Sequence, residues 1–371
     1  MDLRAILETV VELHASDLHL KVGNPPYLRI HGSLRNLDLA PLTARELEVV
    51  ADQLLTPGQH KEFDSSKEID FAFGIAGLGR FRCNFYRQRG TVAMVFRCVS
   101  GSQDITIESL NLPLVLKDLA LRPRGLILVT GTVGSGKSTT LAAMIHWMNS
   151  TTSKNIITLE DPIEHLFADG SSYVSQREVS LDTQSFAEGL RHVLRQDPDV
   201  IMIGEIRDLE TMSIAMTAAA TGHLVLSTMH TIDAPETVNR VLSFFPPHQH
   251  DSIRYLLAST LEAVVSQRLI PRMDGNGRVP AVEVVINTPT VADYIVDATK
   301  TDLIANAMAE GTTAYGMQSF DQSLMYYYTQ GQISLEAALA NCTNPTEFDL
   351  RVKGIQASSD QTWDQFEKKA S

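Results

Sequence analysis

An apolar run that breaks into a glycine loop and resumes as a helix constrains this chain more than any other feature. Residues Gly125 to Ser138 read Gly-Leu-Ile-Leu-Val-Thr-Gly-Thr-Val-Gly-Ser-Gly-Lys-Ser. Leu126 to Val129 is short and continuously apolar, the pattern of a strand buried on both faces. Gly131 to Ser138 fits G-x-x-x-x-G-K-S/T, the phosphate-binding P-loop. Gly131, Gly134 and Gly136 let the backbone bend so that successive N–H groups face phosphate oxygens. The helix that follows, with Leu141, Met144, Ile145 and Met148 at helical spacing, adds its positive dipole end. The expected phosphate contacts are Thr132, Val133, Gly134, Ser135, Gly136, Lys137, Ser138 and Thr139. Lys137 is expected to reach the β- and γ-phosphates of ATP, and Ser138 to hold Mg²⁺. A plain glycine turn is the alternative, and strand, loop and helix in this order speak against it.

Two more apolar runs end in acids. Asn155 to Leu159 runs into Glu160-Asp161-Pro162-Ile163-Glu164. Carboxylates just past a strand's carboxyl end lie where parallel α/β sheets bind ligands. Three acids so close repel one another unless a cation or a reacting water needs them; a solvated turn is the plain alternative. Val200 to Ile203 closes with Gly204-Glu205-Ile206-Arg207-Asp208, and a strand ending in an acid downstream of a P-loop is the Walker-B arrangement. Glu205 is therefore the candidate for orienting Mg²⁺ or its waters. Leu209 to Ala220 reads as a small-residue helix, and Leu224 to Ser227 as a fourth strand bracketed by His223 and His230. The pair is weak evidence for a metal, but a histidine at a strand end can contact a γ-phosphate. Strands alternating with helices predict a mostly parallel sheet. Residues 249–270 read as one long helix. Asp274-Gly275-Asn276-Gly277 reads as a turn into the strand Val279 to Ile286, and Ser319 to Tyr328 as a further helix.

The first hundred residues read differently. Leu3, Ile6, Leu7, Val10 and Val11 predict an amphipathic helix over 2–14. Ser16 to Val22 and Tyr27 to Ile30 are strand candidates. Thr43 with Glu46, and Thr56-Pro57 with Gln59, are helix-start signatures. Ile69, Phe71 and Phe73 alternate, as do Phe81, Cys83 and Phe85, and Thr91 to Val99 completes a sheet. Arg80 and Arg82 fall on the opposite face from Phe81 and Cys83, with Arg97 on the next strand. They read as a solvated face or, beside a nucleotide domain, as phosphate clamps. The expected division is an α+β domain over 1–100, a polar linker or hinge over 101–112, an α/β P-loop domain over 113–355, and a polar tail over 356–371 holding Trp363 and Phe366.

Composition sets outer bounds. A net charge of −13 over 371 residues argues against a coating for duplex DNA or anionic membrane. No apolar run approaches the roughly 18 residues of a membrane span, and Met-Asp-Leu-Arg-Ala does not open a signal peptide. Cys83, Cys98 and Cys342 have no paired spacing, so they read as reduced thiols of a cytosolic protein and not as zinc ligands.

Taken together, several blocks resemble a known family. They are Ser16-Asp17-Leu18-His19-Leu20, Gly79-Arg80-Phe81-Arg82, the P-loop, Thr158 to Glu164, Asp197 to Thr211 and Thr221 to His230. Their order is similar to that of the type IV pilus retraction ATPases, the PilT/PilU family of secretion-type hexameric ATPases, over nearly the whole chain. The resemblance implies a PAS-like N-terminal domain, a RecA-like motor domain, and a ring of six that binds ATP with Mg²⁺ between the two domains. It makes Glu164 the water-activating base in the Asp box and, with Ser138 and Glu205, a Mg²⁺ contact directly or through water; Glu205 is the Walker-B acid, and His230, in the His box, a γ-phosphate contact. Arg80, Arg82 and Arg97 become arginines that meet nucleotide or a neighbouring subunit; Arg207 and His223, within the same matched blocks, are expected to contact the nucleotide. It also implies a cytoplasmic protein at the inner-membrane face of the pilus base, docking on a platform protein. Two departures stand out. The loop has Gly-Thr-Val where such loops usually carry Pro-Thr. The Ala-Ile-Arg-Asn-Leu-Ile-Arg-Glu retraction motif is absent from the corresponding region, Thr288 to Ile295. That region, with Gly316 to Gln322 and Tyr328 to Gly331, is similar to the PilU branch, an accessory that acts with a PilT-like ATPase. The rivals are an ATP-gated assembly subunit with little hydrolysis and a RecA-like nucleic-acid motor.

Overall fold

The structure is a computed structural model and describes residues 1–30, 32–101, 104–311 and 315–354. The polar tail from Gln356, with Trp363 and Phe366, lies outside the described residues. The chain forms two compact units: Met1–Gly101 joined by Glu164–Leu166, and the remainder.

In the first unit, α1 (Leu3–Glu12), α2 (Ala44–Leu54) and α3 (Pro57–Ser66) accompany the strands β1 (Asp17–Lys21), β2 (Tyr27–Ile30), β3 (Ser33–Asn36), β4 (Glu68–Ile75), β5 (Gly79–Gln88) and β6 (Thr91–Gly101). The sheet order is β3-β2-β1-β6-β5-β4, antiparallel throughout. Thr43 and Thr56 each close a capping box, with Glu46 and Gln59, which satisfies helix-start N–H groups that would otherwise be orphaned. Phe81, Cys83 and Phe85 alternate into the core as their period requires, packing with Leu7 and Val10 of α1 and Leu47 of α2. The strand β3 carries no period-two signal, because all four of its residues are exposed.

The second unit is an α/β sheet. After α4 (Val115–Ala120), β7 (Gly125–Thr130) leads into α5 (Lys137–Thr151) and β8 (Asn155–Glu160). The short β9 (His165–Leu166) belongs to the first unit, where it pairs with β6. Then come β10 (Tyr173–Glu178), α6 (Phe186–Val193), β11 (Val200–Ile203), α7 (Leu209–Ala220), β12 (Leu224–Met229), α8 (Ala234–Ser243), α9 (His250–Thr260), β13 (Leu261–Pro271) and β14 (Arg278–Ile286). The order is β10-β8-β11-β12-β7-β13-β14, and only the β13–β14 pair is antiparallel. Every residue of β7 is buried, as a central parallel strand must be.

Two expectations are corrected here. The helix expected over 249–270 stops at Thr260, and Leu261–Pro271 is β13. Its run Leu-Glu-Ala-Val-Val-Ser-Gln-Arg-Leu-Ile is apolar enough to mimic either period. The long ladders with β7 and β14 override the helical reading. Of the linker expected over 101–112, the described residues 104–112 fold onto the second unit. Thr106 and Ser109 cap each other's backbone N–H groups at 3.0 Å, and Ile107 and Leu112 are buried in the second unit's core. Polar residues around two buried anchors give such a turn the composition of a connector. The edge strand β10 carries little strand signal, because Tyr-Val-Ser-Gln-Arg-Glu is mostly polar.

Candidate functional site

Parallel strands put their carboxyl ends on one edge of the sheet, and the expected chemistry collects there. The register pairs Met229 with Thr130 and Ser227 with both Ile203 and Leu128, so β7, β12 and β11 end nearly level. At the ordinary interstrand spacing the residues after β11 stand about 10 Å from the start of the loop after β7.

The loop has the backbone its glycines require. Gly131, Gly134 and Gly136 adopt φ of 140°, 76° and 93°, a region that L side chains rarely enter. A Cβ at Gly131 would run into the carbonyl of Gln267 and the hydroxyl of Ser135. Thr132, Val133 and Gly134 are exposed at the tip, Ser135 is buried, and Lys137 opens α5. Lys137 Nζ donates to the carbonyls of Gly131 and Thr132 at 2.9 and 3.0 Å. Its cationic head is thus held over the loop by the loop's own oxygens. Ser138 and Thr139 follow in the first helical turn, Ser138 exposed and Thr139 half-buried. A pocket of about 420 Å³ lies against Gly131–Ser135 and is lined also by Arg268 and Arg278.

Glu205 is held by two side chains. Its carboxylate meets Arg207 on one oxygen and His230 Nε2 at 3.2 Å on the other, and its side chain is 14% exposed. The backbone beneath it is pinned as well. Gly204 N–H donates to the Leu159 carbonyl at 2.7 Å, Thr228 Oγ1 to the Gly204 carbonyl at 2.6 Å, and Ser227 Oγ to the Ile203 carbonyl at 2.8 Å. Ser227 and Thr228 are thus two supporting residues that no motif in the sequence marks. At the end of β8, Glu160 is buried and accepts from Thr158 Oγ1 at 2.7 Å and Gln176 Nε2 at 3.0 Å. Gln176 comes from β10, 16 residues further along the chain, so nothing local in the sequence announces this pair.

The remaining candidates stand elsewhere. His223 sits at the amino end of β12, the opposite edge from the P-loop, where its Nδ1 lies 3.0 Å from the Ala218 carbonyl. Its expected cofactor contact is corrected to a helix-end contact, because a six-residue strand separates it from His230. Glu164 is exposed and leads into β9 within the first unit. Also in that unit, Arg82 lies directly across from Arg97, and Arg97 across from Asp17. Arg97 Nε donates to Asp17 Oδ1 at 2.8 Å. Burial opposes the Asp17 charge, but the Ser16 hydroxyl and the Arg97 guanidinium outweigh it and hold this carboxyl below its usual range. Arg82 is exposed and Arg80 half-buried on the same strand.

One buried acid steadies the segment that follows His230. Glu283 of β14 accepts from the Ala234 N–H at 3.0 Å, at the start of α8, and from Ser266 Oγ at 3.2 Å. Burial pushes its carboxyl up to about 7, with the neighbouring Asp233 charge adding to the rise against these hydrogen bonds and Arg268. An acid whose folded value lies above its unfolded one binds its proton more tightly in the folded state. Stability therefore falls as pH rises from the unfolded value, near 4.5, through 7. Glu283→Gln is expected to flatten that slope, raising the melting temperature by roughly 2–8 °C at pH 8 and hardly at pH 4.5. Paired thermal melts of the two proteins at both pH values check this.

A phosphate loop on the carboxyl edge of a parallel sheet, with a pinned acid two strands away, defines a P-loop ATPase of the RecA-like kind. The family model described as type II/IV secretion system protein matches residues 98–334. The chain is 40% identical to the type IV pilus ATPase PilU of Pseudomonas aeruginosa over 361 residues, 97% of this chain and 94% of that protein. It is also 40% identical to the retraction ATPase PilT of the same organism, over 94% of this chain and all of that protein. Among solved structures, the pilus retraction motor PilT with bound ADP superposes with a TM-score of 0.85 at 40% identity, covering 94% of this chain and 98% of that one. The Legionella pneumophila ATPase DotB follows at 0.71 and 27%, covering 95% of each chain. This chain belongs to the type II/IV secretion ATPase family, within its PilT/PilU-type retraction group.

Proposed function

We propose that this protein is a Mg-ATP-hydrolysing motor of type IV pilus retraction, working as a ring of six. The observation that carries the reading is the loop Gly131–Ser138 on the same sheet edge as Glu205 and His230, in a chain that shares 40% identity with two pilus ATPases. Lys137 and the loop N–H groups bind the phosphates. The Ser138 hydroxyl and the Glu205 carboxylate are hard oxygen donors suited to Mg²⁺. Among the described residues no cluster of three or more acids, histidines or cysteines could cage a metal alone. That fits an ion held by one or two protein oxygens together with substrate phosphates. When bound, the ion supplies charge neutralisation. The protein's own work is then positioning: His230 at the γ-phosphate, Arg207 steadying Glu205, and Glu164 orienting and deprotonating the attacking water. Arg80, Arg82 and Arg97 supply cationic groups that complete a site in the ring, worth roughly 10³–10⁵ in rate if one acts as an arginine finger.

We further assign the chain to the PilU-like accessory role, acting beside a PilT-type ATPase on an inner-membrane platform protein, at the cytoplasmic face. Identity does not separate the branches, since it is 40% to each. The support is the sequence of the helix Pro289–Val296, Pro-Thr-Val-Ala-Asp-Tyr-Ile-Val, which lacks the arginine-rich retraction motif. Among the described residues no helix is long and apolar enough to cross a membrane, which is compatible with peripheral docking. The test is steady-state ATPase against protein concentration, with and without single-stranded DNA and with and without a purified PilT-type ATPase. Turnover that rises with assembly and ignores DNA supports the motor; dependence on the second ATPase supports the accessory role. DNA stimulation would move the assignment to a nucleic-acid motor.

A further inference from the structure

We propose that Gln267 is a positioning residue that sets the shape of the phosphate loop and through it the affinity for nucleotide; this rests on the nucleotide-binding reading above. The strand β13 lies beside β7 in parallel, and Ser266 opposite Thr130 is the last pair of their ladder. Gln267 therefore falls alongside the first residue of the loop. Its carbonyl occupies the space that a Cβ on Gly131 would need, and its amide nitrogen lies 3.2 Å from where a Cβ on Gly136 would stand. Its Oε1 accepts from the Thr140 hydroxyl at 2.8 Å, in the first turn of α5. Gln267 is 3% exposed and Thr140 fully buried.

These contacts bracket Lys137. Gly136 precedes it, Thr140 stands one turn on, and Gly131, whose carbonyl receives the Lys137 ammonium, is the far end of the loop. The residue thus reaches all three places: its main-chain carbonyl crowds the first glycine, and its side chain lies beside the last glycine and bonds the helix that carries the lysine. Its orientation is not free. Because Thr140 donates to Oε1, the NH₂ end must face Gly136, and a group with two N–H donors is presented to the loop at the place where its backbone turns into the helix. A buried amide locked in this way holds the loop without tying it covalently. Its loss should cost binding more than chemistry, since the contacts of Gln267 are with Thr140 and the loop backbone.

The experiment uses the full chain and ADP as probe. Gln267→Met keeps length and burial but removes the amide; Thr140→Val removes the donor that orients it. Either change should weaken ADP binding, measured by calorimetry, by about 3- to 10-fold, the worth of one net hydrogen bond. KM for ATP should rise in step while kcat stays within about 2-fold, again the scale of less than one hydrogen bond. The double variant should be no weaker than the weaker single, because both remove the same contact. Melting temperatures recorded alongside separate this from a general loss of packing, which would lower stability and leave ADP affinity unchanged. An ADP affinity of Gln267→Met equal to wild type, or strictly additive losses in the double variant, would overturn the proposal. If the wild-type chain itself fails to bind ADP, the nucleotide reading falls and this inference with it, a result distinct from one in which only the variants behave like wild type.

Discussion

Lys137→Ala should lower the ATPase rate by at least roughly 10²–10³-fold, the cost of removing a preorganised charge from a phosphoryl-transfer site. The argument is local. Lys137 is 8% exposed, and its ammonium is held by two loop carbonyls at 2.9 and 3.0 Å. Alanine removes the cation and leaves those carbonyls next to the exposed loop tip, where water can reach them. The fold should persist, because the core beneath is built from Leu126–Val129 and the apolar face of α5, none of which the substitution touches. The measurement is kcat by phosphate release, with a thermal melt of the same preparation. A variant that retains wild-type turnover would show that the loop is not the hydrolytic site.

The second large effect concerns the acids. Glu205→Gln should cut kcat by about 10²-fold while ADP still binds. The side chain keeps its size, but the negative charge that faces Arg207 and His230 disappears. With the strand end still pinned by Ser227 and Thr228, the backbone has little reason to move. Glu164→Gln separates a different role. If Glu164 activates the attacking water, kcat should fall by roughly 10²–10⁴-fold with KM for ATP nearly unchanged, the range for a positioned general base. A Glu164→Gln enzyme of near wild-type rate would remove that residue from the chemistry without disturbing the case for Glu205. The two variants measured side by side in kcat and KM therefore distinguish an acid that organises charge from one that moves a proton.

Much of the architecture could be read before any coordinates. The strand Leu126–Val129, the strand Val200–Ile203 and the helix Leu209–Ala220 lie where their patterns placed them. Both capping boxes of the first unit also formed, because a threonine and a glutamate or glutamine three residues on satisfy each other within a single turn. What failed was non-local. The second half of the expected helix 249–270 is a strand because β7 and β14 flank it. Residues 104–112 of the expected linker are folded because Ile107 and Leu112 join a core built largely from distant strands and helices.

The same division runs through the site. Short-range chemistry determined the loop: glycines at the positions of left-handed backbone, a lysine and serine at the helix start, and acids immediately after apolar strands. Each depends on residues within a turn or two of one another, so spacing alone exposes it. Which of these groups share one edge was decided by the parallel order β8-β11-β12-β7-β13. That order puts His230 against Glu205 and leaves His223 at the far end of the same strand. It also lays Gln267 behind the loop, bonded to Thr140 across 127 positions of sequence. Strand order arises from long-range packing of faces that are individually ambiguous, and no local pattern in a single sequence encodes it.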